Sequence, residues 1–256
     1  MISEFPLEKR LDLLPLFKQH KYLFALVEGL IKERMGVAYA NNPESPTVAL
    51  IGQKIIFYLA GDSEDSSVPE LLEKIPPNRL IFISDENWIQ KISDFWGEKL
   101  QVYPRTKFSS EKLDINYLKE LQLKLPKGFV IEKLTKDTIK NISNQAKNII
   151  HLLFPSVNNF IERNFGFCIL EGNTIASLAL AASPIYDDTF EIHIETNPEY
   201  QRRGLALIIC AKLIEYSLSK GLISHWDADN EPSAQLALKL GFTKPEKYFS
   251  YFWNNK

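Results

Sequence analysis

The chain has 256 residues, 45% of them apolar, which is material for two small domains or one large one. The 30 Lys and Arg residues against 32 Asp and Glu leave a formal charge of −2, so nothing in the balance asks for a nucleic-acid partner. The longest apolar runs fall far short of the roughly 20 residues a membrane span needs, and Met1-Ile2-Ser3-Glu4-Phe5-Pro6 lacks the basic-then-apolar pattern of a signal peptide, so the expected location is cytoplasmic with no membrane partner.

Residues 5–35 read as mostly helical, with an apolar stripe through Phe17, Leu23, Leu26, Val27 and Leu30 and a stop at Gly36. Asn41 to Pro46 is a turn. Thr47–Ile51 and Lys54–Ala60 read as strands joined by Gly52-Gln53. A polar loop from Gly61 leads to a helix near Val68-Pro69, a strand at Arg79–Ser84, a helix through Trp88, Ile92 and Phe95 that Ser84 or Asp85 caps and Gly97 ends, and a strand at Leu100–Phe108. Leu125-Pro126-Lys127-Gly128 breaks the pattern, which places a boundary between an N-terminal domain, 1–126, and a second domain, 127–256. Beyond it come a strand at Phe129–Leu134 and an irregular helical region at 135–165. Strands at Gly166–Glu171 and Thr174–Ala182 then pair across Gly172-Asn173, and a strand follows at Thr189–Thr196. A helix at Leu205–Lys220 closes on Gly221. A strand at Leu222–Ala228 leads to a helix at Glu231–Leu240, capped by Asn230 and stopped by Gly241, and the last strand is Tyr248–Trp253. This order predicts a mixed α/β (α+β) sheet. Cys168 and Cys210 sit in apolar surroundings without metal or redox spacing and read as reduced core thiols.

One segment carries chemistry. In Glu191 to Ala206 a strand ends, a short loop holds one glycine, and an apolar helix begins at once. The first N–H groups of that helix and its dipole form an anion site, Gly204 allows close backbone approach, and Arg202 and Arg203 add positive charge. A diphosphate fits this best. The Gly-Lys-Ser/Thr end of a Walker loop and the three glycines of a dinucleotide fingerprint are both missing, which leaves Gln201-Arg202-Arg203-Gly204-Leu205-Ala206 as a Gln/Arg-x-x-Gly-x-Gly/Ala pattern. By itself this hexapeptide could equally be a basic turn before a core helix.

The stretch Thr196-x-Pro198-Glu199-Tyr200-Gln201-Arg202-Arg203-Gly204-Leu205-Ala206, followed by an apolar helix, a strand, Asn230-Glu231-Pro232-Ser233 and Leu240-Gly241-Phe242, resembles the GNAT acyltransferase superfamily over roughly residues 127–256. Trp226-Asp227-Ala228-x-Asn230, Ser233-x-x-Leu236-Ala237-x-x-Leu240-Gly241-Phe242 and Asn164-Phe165-Gly166-Phe167-Cys168 are similar to a bacterial two-domain GNAT subfamily that includes zwittermicin-resistance-type acetyltransferases. The resemblance implies the GNAT acyl-CoA N-acyltransferase fold. That is a mixed, mostly antiparallel sheet with splayed central strands, here with a smaller N-terminal α/β domain added. It also implies acetyl-CoA (coenzyme A) as the cofactor. The pyrophosphate would be held by main-chain N–H groups of Arg202, Arg203, Gly204, Leu205, Ala206 and Leu207. The pantetheine arm would pair with the main chain of Ile194 and Thr196, and Asn230 and Ser233 would reach the arm unless they serve only as a helix cap and its turn.

Direct attack by an amine needs a base. Alternation puts Glu191, His193 and Glu195 on one strand face, which reads either as a proton relay or as a solvated face. Glu191 and Glu195 rank first, and the resemblance adds His225, because some relatives carry the base on that strand. His20 and His151 lack motif context. Many relatives place a tyrosine where this chain has Ala237, so the acid for the departing thiolate is unassigned; Tyr248 and Tyr251 read more simply as core aromatics. The N-terminal domain faintly echoes the C-terminal half of a GNAT domain but has no phosphate loop, and is expected to cover the acceptor side. The resulting expectation is transfer of an acetyl group to an amine of a small-molecule acceptor by direct attack in a ternary complex. The alternative is a non-catalytic acyl-CoA-binding regulatory module. Exposed strand edges would suit a homodimer.

Overall fold

A computed structural model describes residues 1–254, and the chain divides into two units, Met1–Arg105 with the stretch from Lys247 onward, and Thr106–Glu246. The first unit opens with β1 (Ser3–Glu4), a 3-10 stretch (Leu7–Leu13), α1 (Leu14–Phe17) and α2 (Phe24–Lys32). The predicted long helix breaks before α2, where Leu23 takes a left-handed conformation at φ 52°. Then follow β2 (Val37–Ala40), β3 (Val48–Gln53), β4 (Ile56–Gly61), α3 (Val68–Leu72), β5 (Leu80–Ile83), α4 (Asn87–Trp96) and the start of β6 (Leu100–Ser109). The order is β1-β2-β3-β4-β5, antiparallel except for the parallel β4–β5 pair. β1 and β2, too short to show a period, are additions to the sequence reading. The β3–β4 turn falls at Lys54-Ile55, not at Gly52-Gln53. The Phe57 ring lies over Gly52, where a Cβ would come within 2.2 Å of it, so that glycine serves strand packing and Lys54 takes the turn at φ 51°.

Trp88, Ile92, Leu50 and Leu59 centre this unit's core. His20 is buried beside it at 4% exposure, stacked on Phe17 and edge-on to Tyr58, with Nε2 2.9 Å from the Leu59 carbonyl. Burial pushes its pKa down to about 4, against the opposing effects of the Leu59 carbonyl and the Asp85 charge. Unfolding therefore takes up a proton between the ordinary histidine value and that depressed one. The stability that neutral His20 contributes is complete above pH ~6.5 and is lost as the pH falls to about 4, a change of about 3 kcal/mol. Urea midpoints at pH 7 and pH 4.5 should fall less in His20→Gln than in the wild type; equal falls would exclude His20 as the source.

The second unit continues from β6 through α5 (Ile115–Gln122), β7 (Phe129–Lys133), a 3-10 turn (Thr138–Asn141), α6 (Asn144–Leu153), α7 (Val157–Arg163), β8 (Gly166–Glu171), β9 (Thr174–Ala181), β10 (Thr189–Thr196), α8 (Leu205–Leu218), β11 (Ile223–Ala228) and α9 (Glu231–Leu240). The last strand, β12 (Thr243–Trp253), leads back to the first unit, where Tyr251 pairs with Ile81 of β5. The second unit's sheet runs β6-β11-β10-β9-β8-β7, mixed, with only β10 and β11 parallel. α8 is apolar almost all round and is buried against β8, β9 and α5. The two compact units divide at 105/106 and 246/247, whereas the sequence pattern breaks at 126/127. Thr106–Phe108 pair with β11, and α5, absent from the sequence reading, packs on α8, so both belong to the second unit. Cys168 and Cys210 are buried, and burial pushes the Cys168 thiol up to about 11 and Cys210 higher still, so both are inert at neutral pH. No helix among the described residues is long and apolar enough to cross a membrane.

Candidate active site

β10 pairs with β9 through Ile192–Thr196, but with β11 only through Thr189↔Ile223, Phe190↔Ser224 and Glu191↔His225. The next β11 residues, Trp226 to Ala228, pair instead with Phe108, Lys107 and Thr106 of β6. The two parallel strands thus part after Glu191 and His225. Ala182 N–H donates to the Glu191 carbonyl and Asn197 N–H to the Ala176 carbonyl, so the odd positions direct their main chain to β9. Ile223 N–H donates to the Asp188 carbonyl, so the even positions face β11. The main chain of Ile192, Ile194 and Thr196 therefore borders the gap, a strand edge able to pair with an extended ligand. Thr196 is steadied by its hydroxyl, 2.8 Å from that of Ser177, which also donates to the Glu195 carbonyl.

Beyond the gap, Asn197 accepts a hydrogen bond from Glu199 N–H and starts a single 3-10 turn, Pro198–Tyr200. Arg202 and Gly204 are both left-handed, at φ 61° and φ 79°. Alternation of this kind turns successive N–H groups toward one side, as in an anion-binding nest. Gly204 caps α8 without a side-chain bond, and the first intrahelical bond is Ile208 N–H to the Gly204 carbonyl, so the N–H groups of Leu205, Ala206 and Leu207 lie ahead of the ladder. A Cβ on Gly204 would have no heavy atom within 4 Å apart from its chain neighbours. The Arg203 guanidinium lies 5.2 Å over the Tyr200 ring and donates to the Glu199 carbonyl at 3.3 Å. An open, glycine-lined cradle with unpaired donors and nearby cations fits a phosphate group.

The three acidic and imidazole side chains expected on one face of β10 separate into two clusters. Glu191, only 5% exposed, places Oε1 3.3 Å from Nδ1 of His225 on β11. Glu195 instead accepts a hydrogen bond from Ser143, the residue that caps α6, at 2.8 Å. His193 Nε2 stands 3.9 Å from Glu195 Oε2, an ion-pair distance, and is buried without a hydrogen-bond partner. His193 and then Ser143 hold the Glu195 carboxyl below the usual carboxylate range, against partial burial, so it is ionised and a weak base. Ser143 was absent from the sequence reading, although a serine three residues before the first buried position of a helix is a cap signal.

Asn230 caps α9 by accepting from Ser233 N–H at 2.9 Å, and Ser233 Oγ accepts from the indole of buried Trp226 at 3.3 Å. Ala237 is fully buried, so a larger side chain there would displace core. Tyr248 and Tyr251 belong to the first unit. Tyr248 stacks on Tyr22 and its phenol accepts from Arg105, while Tyr251 is a core residue whose phenol burial pushes up, so both act as packing aromatics there.

The GNAT acetyltransferase family model matches residues 14–251. The match thus begins well before residue 127, where the resemblance in the motifs starts. The uncharacterized N-acetyltransferase YdfB of Bacillus subtilis (strain 168) is 26% identical over 243 residues, 91% of each chain. Among solved structures, a GCN5-related N-acetyltransferase-like protein from Streptococcus suis 89/1591 superposes with a TM-score of 0.80 at 23% identity, covering 97% of this chain and 100% of that one. A GNAT-family acetyltransferase from Colwellia psychrerythraea gives 0.65 at 12% identity, covering 99% of each. These two likenesses are of the fold, the mixed α/β arrangement expected. With the family model spanning nearly the whole chain, this is an acetyltransferase that belongs to the GNAT acetyltransferase family.

Proposed function

We propose that the second unit transfers an acetyl group from acetyl-CoA to an amine of a small molecule, by direct attack while both are bound. The observation that carries the reading is the gap after Glu191 and His225, with a strand edge along one side and a glycine-headed helix N-terminus at its end. Main-chain N–H groups of Arg202 to Leu207 would hold the diphosphate, and the main chain of Ile194 and Thr196 would align the pantetheine arm. The bound thioester would supply an activated acyl group. As the amine nitrogen bonds to the acyl carbon and the C–S bond breaks, Glu191, paired with His225, would take the proton of the amine nitrogen, and coenzyme A would leave as the thiolate and take a proton from solvent. Glu195, already ionised and engaged by Ser143, is better suited to hold a cationic acceptor than to remove its proton. Asn230 and Ser233 would border the cofactor while capping α9. The near-neutral charge favours a small acceptor over a histone-like basic tail, and the two buried thiols suit a reducing cytoplasm.

Titration calorimetry with acetyl-CoA and with coenzyme A, followed by thiol release against a panel of small primary amines, tests this. Micromolar binding of both, with thiol release raised by at least one amine, is expected. No binding of either ligand would sink the reading.

A further inference from the structure

We infer that Asn164 is a positioning residue, which acts through Ser183 to hold Glu191 against His225. The inference rests on the proposed role of Glu191 and His225 as the base.

Asn164 follows α7 and is buried at 9% exposure. Its Nδ2 donates to the carbonyls of Ala181, at 3.0 Å, and Ser183, at 2.7 Å, and its Oδ1 accepts from Phe165 N–H at 3.1 Å. Carbonyls only accept and an N–H only donates, so these contacts fix the orientation of the amide. The segment it grips, Ala181 to Ser183, is where the chain leaves β9. That same segment takes both main-chain groups of Glu191. Ala182 N–H donates to the Glu191 carbonyl at 2.7 Å, and the Ser183 hydroxyl accepts from Glu191 N–H at 3.1 Å. Ser183 is fully buried and Glu191 nearly so, so no water competes for these bonds. The carboxylate they support reaches His225 at 3.3 Å, close to the limit for a hydrogen bond, so a shift of a few tenths of an ångström at Glu191 would break the contact. Asn164 thus sets the position of a carboxylate it does not touch.

Ser183→Ala and Asn164→Ala, each also combined with Glu191→Gln, test this. Ser183→Ala removes one oxygen and is the variant that keeps the fold if Asn164→Ala proves too disruptive. Ring-nitrogen NMR of the histidines needs no substrate. The His225 Nδ1 signal should move in the same sense as in Glu191→Gln, while His20, in the first unit, should not move. With acetyl-CoA and a panel of primary amines, kcat should fall by about 10- to 100-fold, with KM for acetyl-CoA within about twofold. In the Glu191→Gln background the second substitution should add almost nothing, because both act on one group. A folded Ser183→Ala protein with an unmoved His225 signal and wild-type kcat would overturn the inference, as would a full multiplicative loss in the Glu191→Gln background. Wild-type kcat in Glu191→Gln alone would instead overturn the base reading itself.

Discussion

Gly204→Glu is expected to abolish measurable acetyl-CoA binding, an affinity loss of at least about 100-fold, while leaving a folded protein. Two effects act together. At φ 79° a residue with a Cβ is strained by about 1–2 kcal/mol, which loosens the start of α8. A Cβ at this position meets no heavy atom within 4 Å apart from its chain neighbours, so the branch point has room, and a glutamate there puts a carboxylate beside the N–H groups of Leu205 to Leu207 at the head of α8. A negative charge there occupies the donors and repels a diphosphate. Gly204→Ala separates the two effects, since it carries the strain without the charge and should keep most of the affinity. Calorimetry with both variants, and melting curves to verify folding, give the answer. Unchanged affinity in Gly204→Glu would mean that the loop is only a basic turn.

Glu191→Gln should lower kcat by about 10²–10⁴-fold, the usual contribution of a positioned base, with little change in acetyl-CoA affinity. Glutamine preserves the shape of a side chain that is 5% exposed and loses only its basicity, so a structural explanation would have little to act on. His225→Gln should cost less, because His225 supports the carboxylate from β11 and is itself a third exposed. Glu195→Gln is the contrasting case. Its carboxylate is held ionised by His193 and Ser143, so the loss should appear in KM for a cationic acceptor more than in kcat. Steady-state kinetics on the three variants separates these roles. A Glu195→Gln enzyme with the larger fall in kcat would exchange the assignments.

Local chemistry made much of the second unit legible. Asn230 and Gly241 bound α9 as a cap and a left-handed stop, Gly172 turns the β8–β9 hairpin, and the glycine before an apolar run marks the start of α8. Each signal lies within a few residues of its effect. α5 could have been found in the same way, because Asp114 caps it through Tyr117 N–H and Leu118 and Leu121 form its buried face. The unit boundary could not, since β6 is assigned by its pairing with β11, more than a hundred residues away in sequence.

Local sequence specifies the strand–loop–helix at Glu191 to Ala206, its single glycine with the two arginines before it, and the alternation of Glu191, His193 and Glu195 along β10. Which carboxylate meets which partner depends on long-range packing. Glu191 faces His225 because the parallel register sets those two residues opposite at the last rung before the strands part, while Glu195, four residues on, lies beside the cap of α6. Register is set by side-chain packing across the whole sheet and by the connections between its strands, so no local window contains it. The hold of Asn164 on the segment beside Glu191 has the same origin, a contact between the end of a helix and the end of a strand that only the assembled sheet brings together.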